Sequence, residues 1–236
     1  KYTKLNNTRR VACITYTNIG VNTLKKRLKD SVSDVEISTI HSFLYRHIVK
    51  PYLWTLKDCP FPVEKINGHD DIILSKGQLF EYKKRSKQTY LKDDKKLSEA
   101  LSKLIWTMND GKLKLDYPKF YYGSVGKYSI SKDSYKIYKQ ICWENGLLAH
   151  DDVLYFSYLL LKQEEKLKEV IRAKFPYILI DEFQDTSPLQ VEIIKMIAEK
   201  ETIVGVIGDP CQAIFSFQGT DAKLFDTFKL NGMKSY

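Results

Sequence analysis

The stretch Tyr177–Ser187, YILIDEFQDTS, decides the fold. Four apolar residues in unbroken succession, Tyr177 to Ile180, read as a strand buried on both faces, and such strands belong in a parallel sheet covered by helices. Sheets of this kind place their ligands at the carboxyl ends of the strands, and this strand ends in Asp181 and Glu182. The run Ile203–Ile207 (IVGVI) repeats the pattern and ends in Gly208 and Asp209. An aspartate at a strand end can hold Mg2+ on a nucleotide phosphate, while its neighbour, pointing to the other side, orients and deprotonates a water. For a lone Asp-Glu pair, an acidic turn without chemistry is the plainer reading. The second motif, GDPCQAIFSFQG over Gly208–Gly219, weighs against it. Gln212 offers a neutral donor for a terminal phosphate, and Phe215 and Phe217 offer ring faces either to bases or to a core.

Outward from these motifs the chain alternates. Val11–Tyr16 (VACITY) reads as a buried strand, Asn22–Leu28 as its helix, Val35–Ile40 as a second strand, and HSFLYRHIV as helix again. Pro51, Pro60 and Pro62 then punctuate the chain, and residues 50–146 lack strong strand periodicity, which predicts an inserted, mainly helical subdomain. Asp151–Lys168 predicts one helix with an acidic first turn and a basic end. The organisation expected is 1–49 and 147–236 as two parts of one α/β domain, with 50–146 inserted between them.

Of the 236 residues 43% are hydrophobic and 28% charged, a globular composition that excludes collagenous and wholly disordered classes. The longest apolar candidate, Val153–Leu161, falls far short of the ~18 residues of a membrane helix, so no membrane partner is expected. Cys13, Cys59, Cys142 and Cys211 are scattered without metal-ligand spacing, and KYTKLNNTRR lacks the apolar segment of a signal peptide; a cytoplasmic location follows as the expectation. The net charge is +9, and residues 82–139 hold 15 Lys/Arg against 6 Asp/Glu, the whole of the excess. Interleaved with aromatics, this segment offers phosphate attraction and base stacking, with Lys83, Lys84 and Arg85 the densest run. A solvated lysine face over an aromatic core accounts for the composition equally well.

Four ordered stretches resemble the UvrD/Rep/PcrA-type superfamily 1 helicases. DEFQD (Asp181–Asp185) is similar to their motif II, and Gly208–Gly219 to motif III, GDxxQxIYxFRG. TYTN (Thr15–Asn18) resembles the TFTN segment that contacts single-stranded DNA, and STIHSF (Ser38–Phe43) resembles TFHSF. Ala149–Leu154 is a weaker match to the acidic DFDDLL segment. The resemblance implies a RecA-like P-loop NTPase sheet flanked by helices, with ATP and Mg2+ as cofactors. It assigns Asp181 to the metal, Glu182 to water activation, and Gln212 to coupling the γ-phosphate to DNA. Thr15, Tyr16, Thr17, Asn18, Thr39 and His41 would lie along the DNA path, with Phe215 and Phe217 stacking on bases. His41 reads equally well as a structural hydrogen-bonder, and Tyr16 keeps the aromatic face that the family's Phe supplies.

The implied activity is an ATP-dependent DNA helicase moving 3′ to 5′ on single-stranded DNA or at a single/double-strand junction, with a nuclease or a repair or defence partner left open. No Gly-x-Gly-Lys-Thr/Ser occurs in these residues. The phosphate loop is therefore expected upstream and a second motor domain downstream, so that this chain alone is inactive. Gln218 stands where the family has an arginine directed at the γ-phosphate, and a neutral amide cannot supply that charge. A helicase-like module with impaired hydrolysis, binding nucleic acid or protein in a larger assembly, is the alternative.

Overall fold

A computed structural model describes residues 9–28, 34–198, 200–212, 223–230 and 232–234. Strand β1 (Val11–Thr15) leads into helix α1 (Asn18–Leu28), and β2 (Val35–Thr39) into α2 (Ile40–Leu44), which runs on through a π-turn at Tyr45–Val49 into α3 (Lys50–Tyr52). After the intervening segment come α7 (His150–Gln163), α8 (Glu165–Lys174), β7 (Tyr177–Ile180), α9 (Pro188–Ala198), β8 (Ile203–Val206) and α10 (Lys223–Thr227). The four strands form one wholly parallel sheet in the order β2-β1-β7-β8. The acidic strand ends are thus neighbours, as the sequence predicts.

The register aligns Ala12 with Ile178 and Ile14 with Ile180. All four are buried in the core, and Ile14 and Ile178 face Phe43 and Leu44 of α2 and Ile193, Ile194 and Ile197 of α9. Each such aliphatic side chain contributes about 1.5–3 kcal/mol on leaving water. The opposite face differs from the expectation of burial on both sides. Leu179 is 41% exposed and Ile203 50% exposed, because among the described residues no helix lies across them.

Residues 50–146 stay out of this sheet and carry α4 (Lys76–Arg85), α5 (Asp94–Ser102) and α6 (Tyr135–Glu144), together with two antiparallel hairpins that the sequence reading did not anticipate. Strands β3 (Ile105–Asn109) and β4 (Lys112–Asp116) join through Asp110-Gly111, both at positive φ, the two-residue turn whose twist suits a hairpin. Strands β5 (Ser124–Val125) and β6 (Tyr128–Ser129) join through Gly126-Lys127. A single apolar cluster runs from the parallel sheet through this segment, taking in Leu79, Leu97, Trp106 and Tyr138. The expected helix over 151–168 is broken at Glu164, whose extended backbone (φ −116°, ψ 95°) closes α7 and re-aims α8 so that Leu167 and Ile171 reach the core. Among the described residues no helix is long and apolar enough to cross a membrane.

Beside this shared cluster, a buried carboxylate ties residues 50–146 to α7. Asp152, in the first turn of α7, accepts hydrogen bonds from Trp106 Nε1 (3.0 Å), Trp143 Nε1 (3.0 Å) and the Ala149 N–H (3.1 Å), and pairs with Lys139 Nζ at 2.7 Å. Lys139 is equally buried. Breaking a buried pair by removing one partner costs about 3–5 kcal/mol, because the other charge is left without compensation. Asp152→Ala is therefore expected to lower the urea midpoint and to shift the tryptophan emission of the native protein, since both indoles lose their acceptor. An unchanged midpoint would show that the packing of residues 50–146 on α7 does not depend on this carboxylate.

Candidate active site

The sheet register sets the site. The Asp181 N–H donates to the Ile14 carbonyl (2.8 Å), so the half-buried Asp181 carboxylate leaves the sheet beside the end of β1. Glu182 then turns out of line with φ 54° and ψ 41°, the left-handed region that a residue with a Cβ seldom adopts. Such strain persists where the surroundings enforce it and is frequent at functional sites. Here the Phe183 N–H donates to the Ile207 carbonyl (2.9 Å) and the Thr186 hydroxyl donates to the Phe183 carbonyl, which fix the turn and leave Glu182 exposed.

Gln184 stitches the two motifs together. Its amide nitrogen donates to Glu182 Oε2 (2.7 Å) and its oxygen accepts from the Asp209 N–H (3.0 Å), with the side chain fully buried. Gly208 permits this approach, because a Cβ there would stand 2.3 Å from Gln184 Oε1 and 3.1 Å from the Phe183 nitrogen. Asp209 in turn accepts from Gln212 Nε2 (2.8 Å) and the Cys211 N–H (2.9 Å), and these bonds hold its carboxyl below the usual range. Asp181, Glu182 and Gln212 thus share one end of the sheet, linked through Gln184 and Asp209. The sequence reading did not single out Gln184. Its place within DEFQD, two residues from Glu182, was the available signal.

Among the described residues no cluster of three or more His, Cys, Asp or Glu side chains is arranged to hold a metal by itself. Mg2+ in nucleotide sites needs only one or two carboxylates, the rest of its shell being phosphate oxygens and water. The half-buried Asp181 carboxylate suits that use.

The candidate DNA residues fall into different environments. Thr15 is buried with its side chain under Gly20, so it supports α1 instead of facing solvent. Thr17 is exposed and its hydroxyl accepts from the Gly20 N–H (3.1 Å), while Thr39 caps α2 by accepting from the Ser42 N–H (3.3 Å). Asn18 is exposed at the start of α1. Tyr16 and His41 line a cavity of about 340 Å3 between the sheet end and the 103–106 segment, together with Asp185, Lys139, His150 and Asp151. Burial and the nearby Asp185 push the Tyr16 phenol up, keeping it neutral. Burial, with His150 and His69 adding to it, pushes His41 down to about 4, so near pH 7 it is a neutral ring and not a cation. Phe215, Phe217 and Gln218 lie outside the described residues.

The run Lys83-Lys84-Arg85 is less available than its sequence suggests. Lys83 pairs with Asp94 (2.8 Å), and Arg85 pairs with Glu81 (2.7 Å) and Glu144 (2.8 Å). These pairs tie α4 to α5 and α6, so a nucleic acid would compete with carboxylates already in place.

Asp151 lines the same cavity and accepts from the Trp106 N–H, and burial pushes its carboxyl up to about 7. The folded state therefore keeps a proton that the unfolded chain, at about 3.9, gives up. Stability from this group is fully present below about pH 4 and is lost as pH rises through about 7. Asp151→Asn, always neutral, should gain relative to the native protein between pH 5 and pH 8 in paired denaturation curves. Parallel pH profiles would contradict the assignment. In the same experiments Gly208→Ala should lower the midpoint at every pH, since its methyl group displaces Gln184.

Residues 2–231 match the UvrD/REP helicase N-terminal domain family. The chain is similar to the ATP-dependent DNA helicase Rep of Buchnera aphidicola subsp. Acyrthosiphon pisum, with 30% identity over 219 residues, 89% of this chain and 32% of that protein. It is also similar to the ATP-dependent DNA helicase PcrA of Bacillus subtilis, with 27% identity over 89% of this chain and 28% of that protein, and to the Rep helicase of Escherichia coli, with 27% identity over 89% and 30%. It therefore spans about a third of the length of these relatives. A match over nearly the whole chain, coinciding with a parallel sheet whose acids share one end, places this chain in the UvrD/REP helicase N-terminal domain family.

Proposed function

We propose that this chain is the first motor domain of an ATP-dependent DNA helicase, with residues 50–146 as its inserted subdomain, moving 3′ to 5′ along single-stranded DNA in the cytoplasm. The observation that carries the reading is the Glu182–Gln184–Asp209–Gln212 chain of hydrogen bonds, which connects the catalytic acid to the glutamine of the neighbouring strand end. The names of the relatives, all ATP-dependent DNA helicases, support it. Asp181 would hold Mg2+, which neutralises charge on the phosphates. Glu182 would take the proton of the attacking water from its exposed position. Gln212 would report the state of the terminal phosphate, and displacement of its hydrogen bond to Asp209 would pass along Gln184 to the motif II turn.

On the DNA side, Thr17 and Asn18 would meet the strand on the exposed start of α1. Tyr16 would present a ring, and neutral His41 a hydrogen bond, at the mouth of the cavity. Phe215 and Phe217 would stack on bases, and Gln218 would face the γ-phosphate without the charge of an arginine. Of the basic run, Lys84 would make the phosphate contact, since Lys83 and Arg85 are engaged within the protein.

In the full-length protein, Glu182→Gln is expected to retain nucleotide binding and to lower DNA-stimulated ATP turnover by about 10²-fold or more, the scale of losing a general base. Turnover at the native rate under saturating DNA would remove Glu182 from catalysis. Asp181→Ala should instead raise the Mg2+ concentration needed for half-maximal nucleotide binding. A salt titration of oligonucleotide binding separates the basic residues: Lys84→Ala should make the log-log slope shallower by about 0.7, one phosphate contact, and Lys83→Ala should leave it unchanged.

A further inference from the structure

Among the described residues, Tyr117–Ser129, the segment that runs from the end of β4 through the small β5–β6 hairpin, carries the most exposed aromatic side chains. Phe120 is 89% exposed and Tyr122 85%, and Tyr121 and Tyr128 are also on the surface. Phe120 additionally has φ 69°, a conformation that is unfavourable for a residue with a side chain. A ring that is both solvent-exposed and held on a strained backbone gains nothing for the fold, and a strained residue of this kind points to function.

The surface is also built to hold its shape. Tyr117 is half-buried, with its ring 5.1 Å from that of Tyr121 and 5.2 Å from that of Tyr135, and Gly123 packs directly against it. The Tyr121 N–H donates to the Pro118 carbonyl (3.1 Å) and the Ile130 N–H to the Gly123 carbonyl (2.8 Å). Tyr128 leans on Tyr90 with ring centroids 5.1 Å apart, and Lys127 Nζ lies 5.3 Å from the Tyr128 centroid.

From Tyr117 to Lys132 the sequence has three lysines, Lys119, Lys127 and Lys132, and no acidic residue. Lys132 pairs with Asp116 (3.8 Å), which leaves Lys119 and Lys127 beside the rings. Aromatic rings alone would suit a protein partner, but lysine is depleted at protein interfaces, whereas rings beside cations complement bases strung on phosphates. Open ring faces require unstacked bases, which a duplex does not offer. We propose that this loop is a base-stacking surface for single-stranded DNA, with Phe120 and Tyr122 supplying the ring faces and Lys119 and Lys127 the attraction for phosphate. The inference rests on the reading of DNA as the substrate and adds a contact on residues 50–146, beyond the strand ends; Pro118 of the same segment borders the Tyr16–His41 cavity.

The test uses the full-length protein and a fluorescein-labelled oligothymidylate, with binding followed by anisotropy across a salt series. The double variant Phe120→Gly/Tyr122→Ala should bind about tenfold or more weakly with an unchanged salt slope, because stacking and not charge is lost. Lys119→Ala/Lys127→Ala should make the slope shallower. Glycine suits φ 69° and both rings are exposed, so the double variant should unfold no earlier than the native protein, which separates binding from folding. Tyr122→Trp should keep the affinity and show quenching of its emission on binding. If the native protein binds the oligonucleotide and the double variant binds it equally well, the loop is not a contact, while the helicase reading stands. If the native protein fails to bind at any salt, the helicase reading itself falls. Equal weakening for a blunt duplex, or native DNA binding with altered self-association in sedimentation, would overturn the single-strand assignment in favour of a duplex or a protein contact.

Discussion

The Asp152 carboxylate, with two indoles, one backbone amide and the Lys139 ammonium around it, is the constraint on which the arrangement of this chain depends. A buried pair of this kind need not add net stability over an apolar substitute of the same shape. What it imposes is geometry, because the four donors come from three places: Trp106 from β3, Trp143 and Lys139 from α6, Ala149 from the entry to α7. The observed docking of residues 50–146 satisfies all four at once. That docking stacks Trp106 on Tyr155 at 4.0 Å and forms the wall of the cavity whose other side is Tyr16, His41 and Asp185. A substrate in the cavity would therefore feel the position of the inserted segment directly.

The strand ends obey a second constraint, that of close approach. Parallel pairing brings β7 and β8 side by side, but it does not by itself connect their acids. The connection is made by Gln184, which fits only because residue 208 lacks a Cβ and because Glu182 accepts a left-handed backbone. The result is a continuous hydrogen-bonded path from Glu182 to Gln212, in which each polar group of Gln184 is used. In the proposed function Gln212 would exchange its bond to Asp209 for one to a phosphate, and the path would pass that change on to Glu182.

Much of this was legible in the sequence, and the reasons are specific. YILI and IVGVI are apolar runs ending in acids, so their pairing as neighbouring parallel strands with acids at one end followed from hydrophobicity; IVGVI, expected to be a central strand, instead forms an edge of the described sheet. The β3–β4 hairpin was also written in the sequence, as KLKLD alternation after Asp110-Gly111, but it was lost among the lysines of a segment read for its charge. Other features depend on tertiary contact. Lys83 and Arg85 look like free cations until Asp94 and Glu144 fold against them, and Lys139 looks like one more basic residue until Asp152 buries it. The titration of His41 is likewise set by its burial, with His150 and His69, more than 100 and 25 residues away in the chain, adding to it. Local pattern reports on strands and motifs, whereas the state of a charged side chain is decided by what packs beside it.

The central claim is that the acids at the end of this sheet belong to a motor driven by ATP on DNA. Its most direct measurement is the steady-state ATPase of the full-length protein with and without single-stranded DNA, at fixed Mg2+. The account predicts slow hydrolysis in the absence of DNA and a saturable rise as single-stranded DNA is added. Hydrolysis that is absent under both conditions, or that is indifferent to DNA, would contradict it.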